Sequence, residues 1–370
     1  LKKIIFSPSI SLSEERSNNE AFLKYFSKNG KELNLKEKKT TINENIFIPK
    51  NYIVKIKSGE KILLLDNSYI HSFSPWKVGD EDGMVEISGD KNNFGGGIFI
   101  SESSLQSTFI NTDFSYLSGL SKKNYFEDNY KDSFKIMTMY PDQKKNNFLY
   151  KKIGFKKNEY NFLDGTILFG ALNFYKTKAK IKNCRFFRID SEDAINFIST
   201  NYMIDGVTFE ENSSDAIDVD FGSGIIKNSN FNFIGNDGVD LSGTSAKLEN
   251  LQFKNVNDKI ISVGENSEVK IKKIKGQDSF LGIASKDGSK TYLKDVEFLN
   301  VKIPFASYIK KKAYLSGLIE VSNINMLENY LVKAIQDKSS KIIIEGKTSQ
   351  NINPKILDIV IGKKVYLLNE

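Results

Sequence analysis

Two short stretches of the chain carry carboxylates at matching positions. One reads Ser214-Asp215-Ala216-Ile217-Asp218-Val219-Asp220 and the other Gly235-Asn236-Asp237-Gly238-Val239-Asp240. Asp215 and Asp237 are 22 residues apart, and so are Asp218 and Asp240. Equal spacing brings such acids together when the intervening chain makes one complete coil. Like charges that close repel strongly unless something compensates. Three compensations are open. A cation such as Ca²⁺ sits among the oxygens of Asp218, Asp220 and Asp240. Alternatively a proton is shared, which raises one carboxyl pKa and fits it for general-acid work. In the third case Lys259, turn amides and serine hydroxyls neutralise the ladder, with no function attached.

Laying the sequence out at the same interval gives three columns. Asn196, Asp218, Asp240 and Ser262 form one, and Asp220, Ser242, Gly264, Lys286 and Tyr308 form a second. Asp193, Asp215, Asp237 and Lys259 form a third, just before each strand. The catalytic candidates are Asp215, Asp218, Asp237, Asp240, Lys259 and Lys286. Candidates for holding a substrate are Asn196, Asp220, Ser242, Glu265, Asp287 and Tyr308. A lysine beside carboxylates acts as a base or neutralises a uronate; a solvated charged face is the plainer reading. For Asp193, Asp215 and Asp237 the plainer reading is turn capping, since Asp side chains bond local backbone. Lys310-Lys311-Lys312 reads as a loop charge run.

The elements that must position these residues follow from the same interval. Ile195, Ile217, Val239, Ile261, Ile283 and Phe305 succeed one another every 22 residues, and Phe209, Phe231 and Phe253 do likewise. Helical repeats need ~33 or more residues per unit, so a unit this short suits strands and turns. Within each unit apolar and polar residues alternate, the period of a strand. The expected fold is all-β: a right-handed parallel β-helix with about 22 residues per coil and outward acids on one face. Residues 1–50 are expected as an N-terminal cap with a short helix carrying Ala21, Phe22, Tyr25 and Phe26 and stopped by Gly30. Residues 51–312 form the helix, interrupted at 115–163 by a long aromatic- and lysine-rich insertion. This insertion is either a loop packed on the helix side or a groove wall. Residues 313–370 are the final coil and a C-terminal cap. There Met326 to Ala334 reads as a short helix and Ile356 to Tyr366 as strand or packing segments.

Composition removes several classes. One cysteine, Cys184, excludes a disulfide framework, and one histidine, His71, excludes multi-histidine metal chemistry. The net charge of +7 comes from bases spread along 370 residues, which argues against nucleic acid and suits an anionic polymer. No window approaches the ~18 apolar residues of a membrane span. Gly95-Gly96-Gly97 lacks the Lys-Ser/Thr of a phosphate cradle. The chain starts at Leu1 without a secretory leader pattern, as expected of a piece of a longer product.

At Ser214 to Asp218 and Gly235 to Asp240 the sequence resembles consecutive coils of the pectin-lyase-like right-handed β-helix superfamily. That superfamily holds polysaccharide lyases, uronan epimerases and polygalacturonase-type hydrolases. The resemblance covers residues 165–310 most clearly. By position Asp215 and Asp237 match the catalytic carboxylates of polygalacturonases, with Asn236 where another Asp stands. The Gly-His-Gly of the following coil is replaced here by Asp258-Lys259-Ile260. Lyases and epimerases of the fold use a cation held by carboxylates and a basic residue or Tyr, a role open to Lys259, Lys286 or Tyr308. The run from Asp258 through Glu265 to Asp287 also resembles β-helix modules of bacterial surface proteins. The resemblance implies work on an acidic polysaccharide, by cleavage or epimerisation, outside the cytoplasm: extracellular, periplasmic or at the cell surface. Its rival is a non-catalytic surface, scaffold or adhesin module whose aspartate ladder binds Ca²⁺ or is purely structural.

Overall fold

The computed structural model describes residues 20–119, 170–326 and 330–361. The 22-residue spacing is a register. Ile195 pairs with Ile217, Ile217 with Val239, Val239 with Ile261, Ile261 with Ile283 and Ile283 with Phe305, all in parallel ladders and wholly buried. The chain is thus a parallel β-helix, with about 11 turns of about 23 residues.

Three faces run along it. The first holds, among others, strands Gly170–Tyr175, Asp193–Ile198, Asp215–Asp220, Val239–Ser242 and Lys259–Gly264. It continues in the ends of the long strands Glu268–Lys286 and Lys290–Tyr308, and in Ala334–Gln336. The second face is typified by Asn201–Asp205 and Ser223–Lys227, the third by Thr208–Asn212 and Asn230–Ile234. On the third face the core is a stack of rings, Phe114, Phe186, Phe209, Phe231 and Phe253. Their centroids are 4.6, 5.2, 4.9 and 4.3 Å apart and nearly parallel. Those separations match the ~4.8 Å between strands, so each of these coils contributes one ring to a continuous stack. Such offset stacks contribute ~0.5–1.5 kcal/mol per pair beyond burial.

The ends differ from expectation. Parallel pairing begins at Glu32–Leu35 with Ile53–Ile56, so the first coil lies inside the stretch expected as a cap. The early coils are longer, 24 residues from Ile46 to Ile70 and 28 from there to Ile98, which hides them from a search at constant interval. The expected N-terminal helix is only a 3₁₀ turn, Glu20–Lys24. Phe26–Asn29 instead pairs antiparallel with Glu32–Leu35, because Gly30 at φ +60° makes a hairpin turn. Near the C-terminus, Ala334–Gln336 is a strand and 330–333 are not helical. The helix is Pro354–Val360. The Asn353 side chain accepts the amides of Lys355 and Ile356 at its start, and proline suits the first helical position. Residues 120–163 of the expected insertion lie outside the described residues.

Candidate functional site

The outward residues of the first face stand in register. Asn196 faces Asp218, Asp218 faces Asp240 and Asp240 faces Ser262. Two positions along, Ile198, Asp220, Ser242 and Gly264 form the second column. Asp220 and Asp240 are therefore diagonal neighbours on adjacent strands, both part-exposed. Asp218 stands opposite Asp240 in the register and Asp220 two positions along the same strand, all three part-exposed.

The corner column binds the coils to one another. Asp215 Oδ1 accepts the Asp237 amide at 2.7 Å and the Asn236 side chain at 2.6 Å. Asp237 Oδ1 accepts the Lys259 amide at 3.0 Å. Each acid thus caps the turn of the next coil, the structural role weighed for this column. Asn196 donates its amide to Asp193 at 2.8 Å and to Asp218 at 2.9 Å. The Lys259 ammonium closes the column, at 3.2 and 3.3 Å from the Asp237 oxygens and 2.6 Å from Asp258.

Lys286 is buried and lies flat along the face. A Cβ added at Gly264 would sit 2.8 Å from Lys286 Cε, so the glycine leaves the channel through which the lysine reaches back two coils. Its Nζ ends 3.8 Å from Asp240 Oδ1. Asp287 Oδ1 accepts the amides of Lys310 and Lys311, both at 2.7 Å, and so pins their loop beside the site. Lys311 then pairs with the buried Glu265.

This packing separates the carboxyls electrostatically. Burial, reinforced by the Asp240 and Glu265 charges, pushes Asp220 up to about 6. Burial also raises Asp215 and Asp218 well above the carboxylate range, with Asp237 adding to the first and Asp193 and Asp220 to the second. Asp193 is raised in the same way by burial and Glu192. Asp237 stands at about 6, raised by burial and held back by Lys259. Asp240 goes the other way: burial opposes its charge, but the Lys286 and Lys259 ammoniums outweigh it and keep its pKa low. Burial likewise opposes the lysine charges, yet Asp237 and Asp258 hold Lys259 cationic and Asp240 holds Lys286 cationic.

Several expectations need correcting. Asn196, Lys259, Glu265, Lys286, Asp287 and Tyr308 are buried rather than displayed on an open surface. The apolar outer residues Ala284, Ala306, Ile335 and Tyr308 pack with Val360 and Ile356 of the C-terminal helix, which covers this end of the face. Ser242 keeps its place between Asp220 and Gly264 and is part-exposed. Among the described residues, the acids whose oxygens lie within 4.8 Å of one another are Asp215, Asp237 and Asp240, not Asp218, Asp220 and Asp240. Two of those three also face ammonium groups, Asp237 that of Lys259 and Asp240 that of Lys286. Sequence reasoning missed Lys310 and Lys311, which no register places near Asp240. It also missed Asn236 and Asp258 as partners, although both adjoin column residues. The remaining singletons are accounted for locally: His71 Nε2 meets Ser101 Oγ at 2.8 Å, and burial pushes the Cys184 thiol up to about 12.

No protein-family model and no curated protein matches the sequence. Among solved structures, the chain is similar to an alginate lyase from Paenibacillus sp., at 8% identity over 76% of this chain and 92% of that one, with a TM-score of 0.36. It is similar to the periplasmic alginate epimerase AlgG, at 12% identity over 82% of this chain and 80% of that one, TM-score 0.36. It is also similar to the Streptococcus pneumoniae surface protein and adhesin PfbA, at 10% identity over 85% and 91%, TM-score 0.37. No helix among the described residues is long and apolar enough to cross a membrane.

Proposed function

We propose that the first face binds an acidic polysaccharide and cleaves a glycosidic bond, with Asp220 as proton donor and Asp240 as its ionised partner. The reading rests on one observation: two carboxyls on adjacent strands, diagonal to each other, are driven in opposite directions. Opposed pKa shifts in neighbouring carboxyls sort acid from base. Asp220 gives its proton to the leaving oxygen while Asp240 accepts one from the attacking water. Lys286, laid over Gly264, keeps Asp240 charged. Lys310, beside the Asp240 charge, supplies a positive group for a uronate carboxylate. A polymeric substrate of this kind puts the protein in the periplasm, at the cell surface or outside the cell.

The test is release of reducing ends from a panel of uronans by the wild type, Asp220→Asn and Asp240→Asn. Each substitution is expected to lower turnover by ~10²–10⁴, with little change in melting temperature for Asp220→Asn and a lower one for Asp240→Asn, which leaves buried Lys286 without its carboxylate. Undiminished turnover in both variants contradicts the assignment. A second reading, a non-catalytic scaffold or adhesin, is favoured by the turn-capping bonds of Asp215 and Asp237. It expects no product from any uronan and a loss of stability in Asp215→Ala and Asp237→Ala.

A further inference from the structure

Beside the site, the corner between the first and second faces lengthens abruptly. Two residues separate Asp220 from Ser223 and Ser242 from Ser245, three separate Lys286 from Lys290, and nine separate Tyr308 from Leu318. Residues 309–317 thus form a loop that the coil itself does not require. Acids from the coils on either side grip its start. Asp337 Oδ2 accepts the Ile309 amide, and Asp287 Oδ1 the amides of Lys310 and Lys311, all at 2.7 Å. Asp287 is fully buried, and Lys311 adds its ion pair with Glu265. Lys310 is an exposed residue. Among the described residues, Lys259, Lys286 and Lys311 have ion pairs here and Lys310 has none. Its ammonium is partly desolvated and repelled by Lys286 and Lys259, which lowers its pKa, and its charge bears on Asp240. Three amides bound to carboxylates therefore hold a cation where its own charge is disfavoured.

We propose that this loop sets the preference of the face for charged chains: Lys310 takes the carboxylate of a uronate unit, and Asp287 is the positioning residue that holds it there. The inference rests on the reading of the face as a uronan site, and adds which buried residue fixes the recognition of charge. A carboxylate set against Lys310 offsets the repulsion from Lys286 and Lys259; a neutral sugar does not. Hydrogen bonds from amides to a carboxylate are stronger than those between neutral groups. Asp287 thus fixes the loop through its backbone and leaves the Lys310 side chain to the substrate.

The experiment measures turnover by the full chain on polygalacturonate, polymannuronate and polyglucuronate, each native and carboxyl-reduced. The wild type is expected to cleave at least one native polymer in preference to its reduced form. Lys310→Met should narrow that preference about tenfold, the size of one charge-assisted contact, with the loss in KM rather than kcat. Asp287→Ala should narrow it as far, and the double variant no further, because both changes remove the same interaction. Asp287→Asn keeps an oxygen for both amides and should recover most of the preference. A preference unmoved in Asp287→Ala, or losses that simply add in the double variant, overturns the positioning role. Should Asp287→Ala not fold, an unmoved preference in Lys310→Met, at an exposed position, decides against the loop. Those results leave the reading of the face standing, whereas a wild type that cleaves no polymer overturns both.

Discussion

One outer column of the first face lives in two environments. At Asp218 and Asp240 it is polar and open to water. Two coils on, at Ala284, Ala306 and Ile335, it is fully buried beneath the helix Pro354–Val360. The strands are continuous and the register unbroken, so the backbone does not make the difference. What changes is the cover. Where a remote segment brings Val360 and Ile356, outward alanines become a second core. Where no described cover exists, outward acids sit at the boundary of water and protein, and burial pulls their pKa values apart. The lysines sit between the two zones and carry the charge balance. Burial of Lys259 is tolerable because Asp237 and Asp258 both meet its ammonium.

The largest effect should come from forcing one environment onto the other. Ala306→Asp places an unpaired charge under the helix and is expected to cost ~3–5 kcal/mol, whereas Asp218→Ala on the part-exposed stretch should cost under ~1 kcal/mol. Denaturant unfolding of both variants measures the contrast, and equal losses would break it. Lys259→Met leaves Asp237 buried without its ammonium, and a loss of ~3–5 kcal/mol is expected by the same measurement. Val360→Ala trims the cover and should cost ~1–2 kcal/mol, from the two methyl groups lost.

Gly264→Ala sharpens the link between the zones. The added Cβ meets Lys286 along its chain, from Cγ to Cε, so the buried lysine must shift and some stability should be lost with its ion pair. The lysine would be displaced from Asp240, whose pKa should rise. The acidic limb of the turnover profile is then expected to move upward in pH, and an unmoved limb would detach Lys286 from the chemistry.

The smallest effect is the dependence of stability on pH. Asp220 and Asp237 have folded-state values near 6, raised from 3.8. The folded state therefore binds more protons than the unfolded chain between those values, and stability falls as pH rises through about 6. The melting temperature should be higher at the acidic end of that window, and the Asp237→Asn protein should show a shallower slope.

The coils from Ile195 to Phe305 were legible because their lengths are equal, so one interval gives register, face and neighbours at once. Before Ile98 the coils from residue 51 on could be placed in the helix but not put in register, since 24- and 28-residue turns leave no constant interval, and the coil at Glu32–Leu35 was taken for a cap. The C-terminal helix announces itself only through Asn353-Pro354, a start signal outweighed by an apolar run that also suits a strand. In the site, the pairing of Asp218 with Asp240 and of Asp220 with Ser242 follows from register alone. The burial of Lys286 does not, for it depends on the missing side chain at Gly264 and on a cover drawn from residues 354–361. Nor does the approach of Lys310, which is fixed by amide bonds to Asp287 rather than by strand pairing.

The most direct test is a carbon-13 NMR titration of the Asp220 and Asp240 side-chain carboxyls in the intact chain. Asp220 is expected to titrate near 6 and Asp240 below the usual carboxylate value, with the Asp240 midpoint rising in Gly264→Ala. Two carboxyls titrating together at ordinary values would show that the face does not divide acid from base.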